Sequence, residues 1–221
     1  MTAQTLIAHD IPALKIEQTG RDAFHLLNDY HVKHLPVVDG QTLVGILSEE
    51  DIFNHKIYDP INEYDFSLMR RFAVRNTDHI FEVMRVMGGN RLTVIPVIDE
   101  AGNYLGLITQ NDVLRYFANT ASFAEHGAVL VMDMPRRDYS LATIARILED
   151  EGTKVLNAFI TSLPGDSENI ELTLKLNRHD LGRAIASLER HNYEVKETFA
   201  EVDHTESLRE RYESLLNYLN I

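Results

Sequence analysis

The sequence predicts an α+β protein that has two domains and a helix at its C-terminus. Three observations lead to this fold class. The first half of the chain repeats itself at an offset of 60 to 61 residues, the second half follows the order β-α-β-β-α-β, and the last residues place apolar side chains along one helical face. The predicted segments are a repeat domain over 1–120, a second domain over 127–200 and a helix over 205–221.

Composition restricts the classes of protein that this chain can be. Hydrophobic residues make up 44% and charged residues 25% of its 221 residues, as in a globular protein. The formal net charge of −13 argues against nucleic acid or an anionic membrane as a partner. Cysteine is absent, which excludes disulfides and thiolate metal sites. With no signal-peptide pattern and no 18-residue apolar run, we expect a soluble, cytoplasmic protein.

The repeat consists of two strand-turn-strand-helix segments. His34–Gly40 aligns with Val94–Glu100 at an offset of 60, and Val44–Ile52 aligns with Leu105–Val113 at 61, because the second turn is one residue longer. An amphipathic helix precedes the two strands of each copy, and with a short opening strand ahead of it the predicted order is β-α-β-β-α. One copy alone would be marginally stable, so the two are expected to bury each other in one domain. The predicted copies span about 6–56 and 68–118.

A Ser/Thr-x-x-Asp motif follows the second strand of each copy, as Ser48 with Asp51 and as Thr109 with Asp112. A helix that begins there offers free N–H groups and a positive dipole end to a phosphate. The hydroxyl can donate to that phosphate, and the aspartate can accept from a ribose diol. The same motif also caps helices that bind no ligand, so both interpretations stay open.

The doubled pattern of h-P-V-h-D followed by h-G-h-h-S/T-x-x-D resembles a tandem pair of CBS domains. The resemblance implies a regulatory module that binds an adenine nucleotide (AMP, ADP, ATP or S-adenosylmethionine) in the cleft between the repeats. It implies no required cofactor, and it implies a homodimer. The nucleotide-binding roles carry over to Thr19, Lys33, His34, Ser48, Asp51, Thr77, Thr109 and Asp112.

A difference between the copies favours the first one for a phosphate-rich ligand. Lys33 and His34 precede the first strand-turn-strand segment, where a CBS protein can place a basic phosphate contact. The corresponding residues of the second copy are Thr93 and Val94, which carry no positive charge.

The second domain resembles an ACT domain, with a ferredoxin-like fold, in the order of its elements. ACT domains that bind amino acids usually carry a glycine after the first strand, whereas residues 133–138 contain none. Arg136 and Arg137 of this loop are the candidates for pairing with a ligand carboxylate. The tail 205–221 is expected to dock on its own domain or on a second protomer.

The sequence therefore favours a regulatory protein over an enzyme. It contains no Walker loop, no Gly-x-Ser-x-Gly and no histidine spacing typical of a metal site. We expect the repeats to sense an adenine nucleotide and the ACT-like domain to transmit the state to an unknown regulated protein, as in the acetoin-utilisation type of CBS/ACT regulator. Two alternatives are a structural protein with empty clefts and an amino-acid sensor that acts through the ACT-like domain.

Overall fold

The chain divides into two compact units, Met1–Ala118 and a second unit that begins at Asn119. The structure is a computed structural model, and it describes residues 1–55, 57–65, 71–163 and 165–200. The predicted helix over 205–221 lies outside the described residues. Across the described part of the chain, no helix has the length and apolar character that crossing a membrane requires.

The first repeat forms a three-stranded sheet with two helices. Its strand order is β1-β2-β3, in which β1 runs parallel and β3 antiparallel to β2. The tight turn between β2 and β3 contains Gly40 in the left-handed region, at φ +59°. The elements are β1 (Leu14–Lys15), α1 (Gly20–Asp29), β2 (His34–Asp39), β3 (Thr42–Ser48) and α2 (Glu49–Phe53).

The second repeat has the same topology, with strand order β4-β5-β6. Each repeat contributes to the other's core. Val94 and Leu107 pack in the core of the first repeat, and Ile46 packs in that of the second, so the two copies bury each other as predicted. The elements are β4 (Val74–Arg75), α3 (Ile80–Asn90), β5 (Val94–Ile98), β6 (Tyr104–Thr109) and α4 (Gln110–Ala118).

The segment that precedes each repeat packs on the other repeat, and we call these two the exchanged segments. A short 3-10 helix at the N-terminus, Ala3–Leu6, packs on the second repeat, and the 3-10 helix Ile61–Glu63 packs on the first. Their backbone hydrogen bonds are equivalent, because the acceptors are 60 positions apart. Ala3 N–H donates to Asp78 O (2.8 Å), and Ile61 N–H donates to Gln18 O (2.8 Å).

The second unit has the predicted β-α-β-β-α-β order, and its antiparallel sheet runs β10-β7-β9-β8. Alternate apolar residues of β7 and β9 pack with the two longer helices in one core. The segment 119–127, which joins the two predicted domains, contains a short helix, α5 (Ala121–Ala124). The other elements are β7 (Ala128–Pro135), α6 (Leu141–Asp150), β8 (Val155–Leu163), β9 (Asp166–Leu176), α7 (Gly182–Arg190) and β10 (Val195–Ala200).

Candidate functional site

The two Ser/Thr-x-x-Asp motifs form the same hydrogen-bonded structure. Asp51 Oδ2 accepts from Ser48 N–H (2.8 Å) and from Ser48 Oγ (2.6 Å). Asp112 Oδ2 accepts from Thr109 N–H (3.0 Å) and from Thr109 Oγ1 (2.6 Å). In both motifs the aspartate N–H donates back to the hydroxyl, which completes a capping box. Since capping alone accounts for both motifs, any difference in ligand binding must come from their surroundings.

A cleft of about 360 Å³ lies beside the second motif, and we call it the Thr109 cleft. Three segments of the first unit line it: the chain ahead of β1, the turn between α1 and β2, and the first turns of α4. The cleft is therefore built from both repeats. Its lining residues are Ile7, Ala8, Asp10, Ile11, Tyr30, Val32, Thr109, Asn111, Asp112 and Arg115.

A close backbone approach holds one wall of the Thr109 cleft. Ala8 N–H donates to Leu107 O (2.8 Å) and forms an isolated antiparallel bridge with that residue of β6. Gly106 permits this approach, because a Cβ at that position would overlap Ile7 Cγ2. Its φ of +153° is also one that L side chains rarely adopt. The wall thus depends on a glycine at position 106.

The Thr109 cleft contains one guanidinium, that of Arg115, and two carboxylates, those of Asp10 and Asp112. Arg115 Nη1 lies 3.6 Å from Asp112 Oδ1, and the side chains of Arg115 and Asp112 are 72% and 20% exposed. An exposed pair at this distance is held weakly, so the guanidinium can turn to a phosphate. Val32 and Tyr30 add apolar surface on the opposite side. The cleft therefore combines an apolar wall with a hydroxyl, a carboxylate and a guanidinium.

The surroundings of the Ser48 motif are more acidic. Helix α2 has only five residues, and its first turn carries Glu49, Glu50 and Asp51. The corresponding residues of α4 are Gln110, Asn111 and Asp112, which carry a single negative charge. The counterpart of Arg115 is Asn54. The Ile7–Ile11 wall corresponds to residues 65–69 in the other exchanged segment. Of these, residues 66–69 lie outside the described residues.

The expected phosphate contacts Lys33 and His34 occupy the junction between the repeats. Lys33 N–H donates to Thr93 Oγ1 (3.0 Å), and Thr93 N–H donates to His34 Nδ1 (3.2 Å). The His34 ring is buried, and its Nδ1 also lies 3.0 Å from Thr93 Oγ1, so this side chain links the two repeats. The role of Lys33 and His34 as phosphate contacts stays a prediction. The Lys33 side chain is exposed.

Thr19 lies away from the Ser48 motif. It caps α1, and the Asp22 Oδ2 atom accepts from its N–H (2.9 Å) and its Oγ1 (2.8 Å), which lowers the pKa of Asp22. The cap follows β1, which pairs with the hairpin end of β2. Ser48 pairs with His34 at the other end of β2. The strand register thus separates Thr19 from the motif by the length of the strand.

Thr77 precedes the first helix of the second repeat but does not cap it, and its nucleotide-binding role stays a prediction. The residue 60 positions after Thr19 is His79, whose side chain caps α3 by accepting from Phe81 N–H (3.3 Å). Thr77 is exposed and lies two residues before this cap.

Arg136 and Arg137 lie on a cleft of about 500 Å³ in the second unit. Arg136 Nη2 donates to Ser162 Oγ (3.0 Å), and Arg137 Nε lies 3.6 Å from Asp138 Oδ1. Glu168 lines the same cleft and adds a negative charge. Both candidate arginines thus already contact other side chains.

Sequence reasoning missed Arg115, Asp10 and the turn residues Tyr30 and Val32. Arg115 could have been found, because it stands one turn after Asp112 and differs in charge from its counterpart in the first copy. The other three had no signal, since only the exchange of the N-terminal segments and the meeting of the repeats bring them to the motif.

Curated relatives are similar to about half of this chain. The inosine-5'-monophosphate dehydrogenase of Methanocaldococcus jannaschii is 25% identical over 116 residues, which are 51% of this chain and 23% of that enzyme. The similarity to this enzyme runs through its CBS domains alone. This enzyme is one of three curated relatives of which the chain covers between 23% and 33% of the length.

Two solved structures are similar to part of this chain. A CBS domain pair/ACT domain protein from Thermotoga maritima is 20% identical, with a TM-score of 0.48, over 55% of this chain and 99% of that chain. CBSX2 in complex with AMP is 26% identical, with a TM-score of 0.44, over 52% of this chain and 95% of that one.

The family assignment of the first unit follows from the repeats themselves. The CBS domain family model matches residues 3–57 and 65–119, one match for each repeat. The first match begins with the 3-10 helix Ala3–Leu6, and the second begins just after the 3-10 helix Ile61–Glu63. Each match ends shortly after the second helix of its repeat. The first unit of this protein is a tandem pair of CBS domains.

Proposed function

We propose that this protein is a regulator that binds an adenine nucleotide in the Thr109 cleft. The observation that carries the proposal is the convergence of Thr109, Asp112 and Arg115 on a cleft that is also lined by apolar residues of the first repeat. CBS domain pairs generally bind adenosine-containing ligands and act in regulation, which supports adenine as the base.

Each group of the cleft has a distinct role in this proposal. The α4 N-terminus faces the phosphate and the Arg115 guanidinium neutralises it, while the Thr109 hydroxyl stays hydrogen-bonded to Asp112 Oδ2. Asp112 Oδ1 accepts hydrogen bonds from the ribose, while Oδ2 continues to cap the helix. Tyr30 and Val32 contact the base. A nucleotide held in this way touches both repeats at once.

Regulation follows from that bridging position. A ligand shifts an equilibrium only through different affinities for the two states, so the nucleotide must favour one relative arrangement of the repeats. In this proposal the second unit, as an ACT-like domain, transmits the arrangement to a regulated protein, and two chains act together as a homodimer. The protein itself carries out no reaction.

Calorimetric titration of the full chain with AMP tests the site. We expect one AMP per chain. Asp112→Asn should weaken binding about tenfold or more, which corresponds to about 1.4 kcal/mol. The matched variant Asp51→Asn alters the other capping box in the same way and should leave the affinity unchanged.

Two results would contradict the proposal. One is an equal loss of affinity in the two variants, because the cap and not the cleft would then matter. The other is the absence of binding by AMP, ADP, ATP and S-adenosylmethionine at millimolar concentration, which would favour an interaction protein with empty clefts.

A further inference from the structure

We propose that the Thr109 cleft selects its nucleotide by charge, and that Asp10 is the residue that disfavours additional phosphates. This inference rests on the proposed function and specifies its ligand: a nucleoside monophosphate in preference to a di- or triphosphate. The charges that line the cleft carry the argument. They are Asp10, Asp112 and Arg115, two carboxylates against one guanidinium.

Arg115 provides the cationic charge for a single phosphate group. Its Nη1 lies 3.6 Å from Asp112 Oδ1, and Thr109 occupies Asp112 Oδ2. A ribose that bonds to Oδ1 replaces the guanidinium there. Because the Arg115 side chain is 72% exposed, it can turn to the phosphate that follows the ribose. The cleft lining contains no second Lys or Arg for a further phosphate.

Asp10 faces the ligand with an uncompensated charge. It is exposed, and it forms no ion pair with the described residues. Its backbone is fixed close to the cleft, because Ala8, two residues earlier, is bonded to Leu107. Each additional phosphate brings negative charge toward this carboxylate. Over roughly 8 Å, the Debye length at physiological ionic strength, that repulsion is only partly screened.

Asp10 differs in this respect from other acidic residues of the first unit. Asp39 is also exposed, but it lies at the hairpin end of β2, seven residues after Val32. At about 3.3 Å per residue the two ends of this strand are well beyond a Debye length apart. Asp39→Asn therefore changes the net charge as Asp10→Asn does, without changing the cleft.

Titration calorimetry of the full chain with AMP, ADP and ATP in a magnesium-free buffer at physiological ionic strength tests the inference. We expect the affinity to fall in that order, with ATP bound about tenfold more weakly than AMP. Asp10→Asn should reduce this ratio to about threefold, and Asp39→Asn should keep the ratio of the unchanged protein. High salt should reduce the ratio as well.

The outcomes separate this inference from the proposed function. Equal binding of AMP and ATP, or tighter binding of ATP, overturns the selection by charge but keeps a nucleotide site. The same ratio in Asp10→Asn and Asp39→Asn overturns the role of Asp10. A lack of binding by all three nucleotides overturns the proposed function, and the selection falls with it.

Discussion

The two repeats of the first unit have the same fold and the same capping boxes, yet they surround those boxes with different charges. Ser48 and Thr109 make matching hydrogen bonds to Asp51 and Asp112. The second motif lies on a cleft that Arg115 also lines, and Asn54 takes the place of this arginine in the first repeat. The motif thus specifies where a helix begins, and the neighbouring residues specify whether an anion can bind there.

The side chains also differ at other pairs of equivalent positions in the two repeats. Asn76 occupies the position that Ile16 has in the first repeat, and Arg115 the position of Asn54. The hydrogen bonds of the exchanged segments are nevertheless conserved between the copies, as from Gln4 to Asn76 (3.0 Å) and from Asn62 to Ile16 (2.9 Å). Backbone geometry is therefore shared, and side chains distinguish the repeats. Substitutions at such positions test how each difference affects the stability of the protein or its affinity for a nucleotide.

The largest effect is expected from Gly106→Ala. The new Cβ would overlap Ile7, and φ is +153°, so we expect a loss of about 3 kcal/mol in the free energy of unfolding. Urea denaturation measures it. Gly40→Ala is the control, since its φ is +59° but nothing lies within 4 Å of the new Cβ, and it should cost about 1 kcal/mol. Equal losses would mean that the Ile7 contact does not matter.

Arg115→Asn gives the second repeat the residue that the first repeat has. Removing the guanidinium from the cleft should weaken AMP binding about tenfold, or about 1.4 kcal/mol, as measured by calorimetry. The reciprocal variant, Asn54→Arg, should leave the affinity of the Thr109 cleft unchanged. An unchanged affinity in Arg115→Asn would remove Arg115 from the site.

Asn76→Ile should stabilise the protein by about 1 kcal/mol. The Asn76 Oδ1 atom is buried and has no hydrogen-bond partner among the described residues, which is unfavourable. Ile16 fills the equivalent position in the first repeat, where it packs against the core. The midpoint of urea unfolding measures the gain, and a lower midpoint would show that the amide has a partner in solution.

The smallest effect concerns the cap of α1. The N–H and hydroxyl of Thr19 lower the pKa of Asp22, so the ionised carboxylate stabilises the folded state above its unfolded pKa of about 3.9. This contribution is lost as the pH falls through the lower, folded pKa. Asp22→Asn should therefore cost about 0.5 kcal/mol at pH 7 and less at pH 3, measured by urea unfolding. A cost that does not change with pH would contradict the assignment.

The family and the order of the elements could be predicted from the sequence, because they rest on local patterns. Turns, strand alternation and capping residues identified both repeats and the β-α-β-β-α-β order of the second unit. Thr19 and Thr77 both precede a helix, but only the offset of 60 from Thr19 identifies His79 as the cap of α3.

The sequence by itself determined that the chain carries two CBS repeats with a capping Ser/Thr-x-x-Asp in each, since such motifs act within a few residues. The tertiary structure decided which residues share a cleft. Tyr30 comes to face Thr109, and His34 meets Thr93, because the repeats pack against each other and the N-terminal segment crosses to the second repeat. These pairs of residues are 59 or more positions apart, and no periodic pattern in the sequence predicts that they come together.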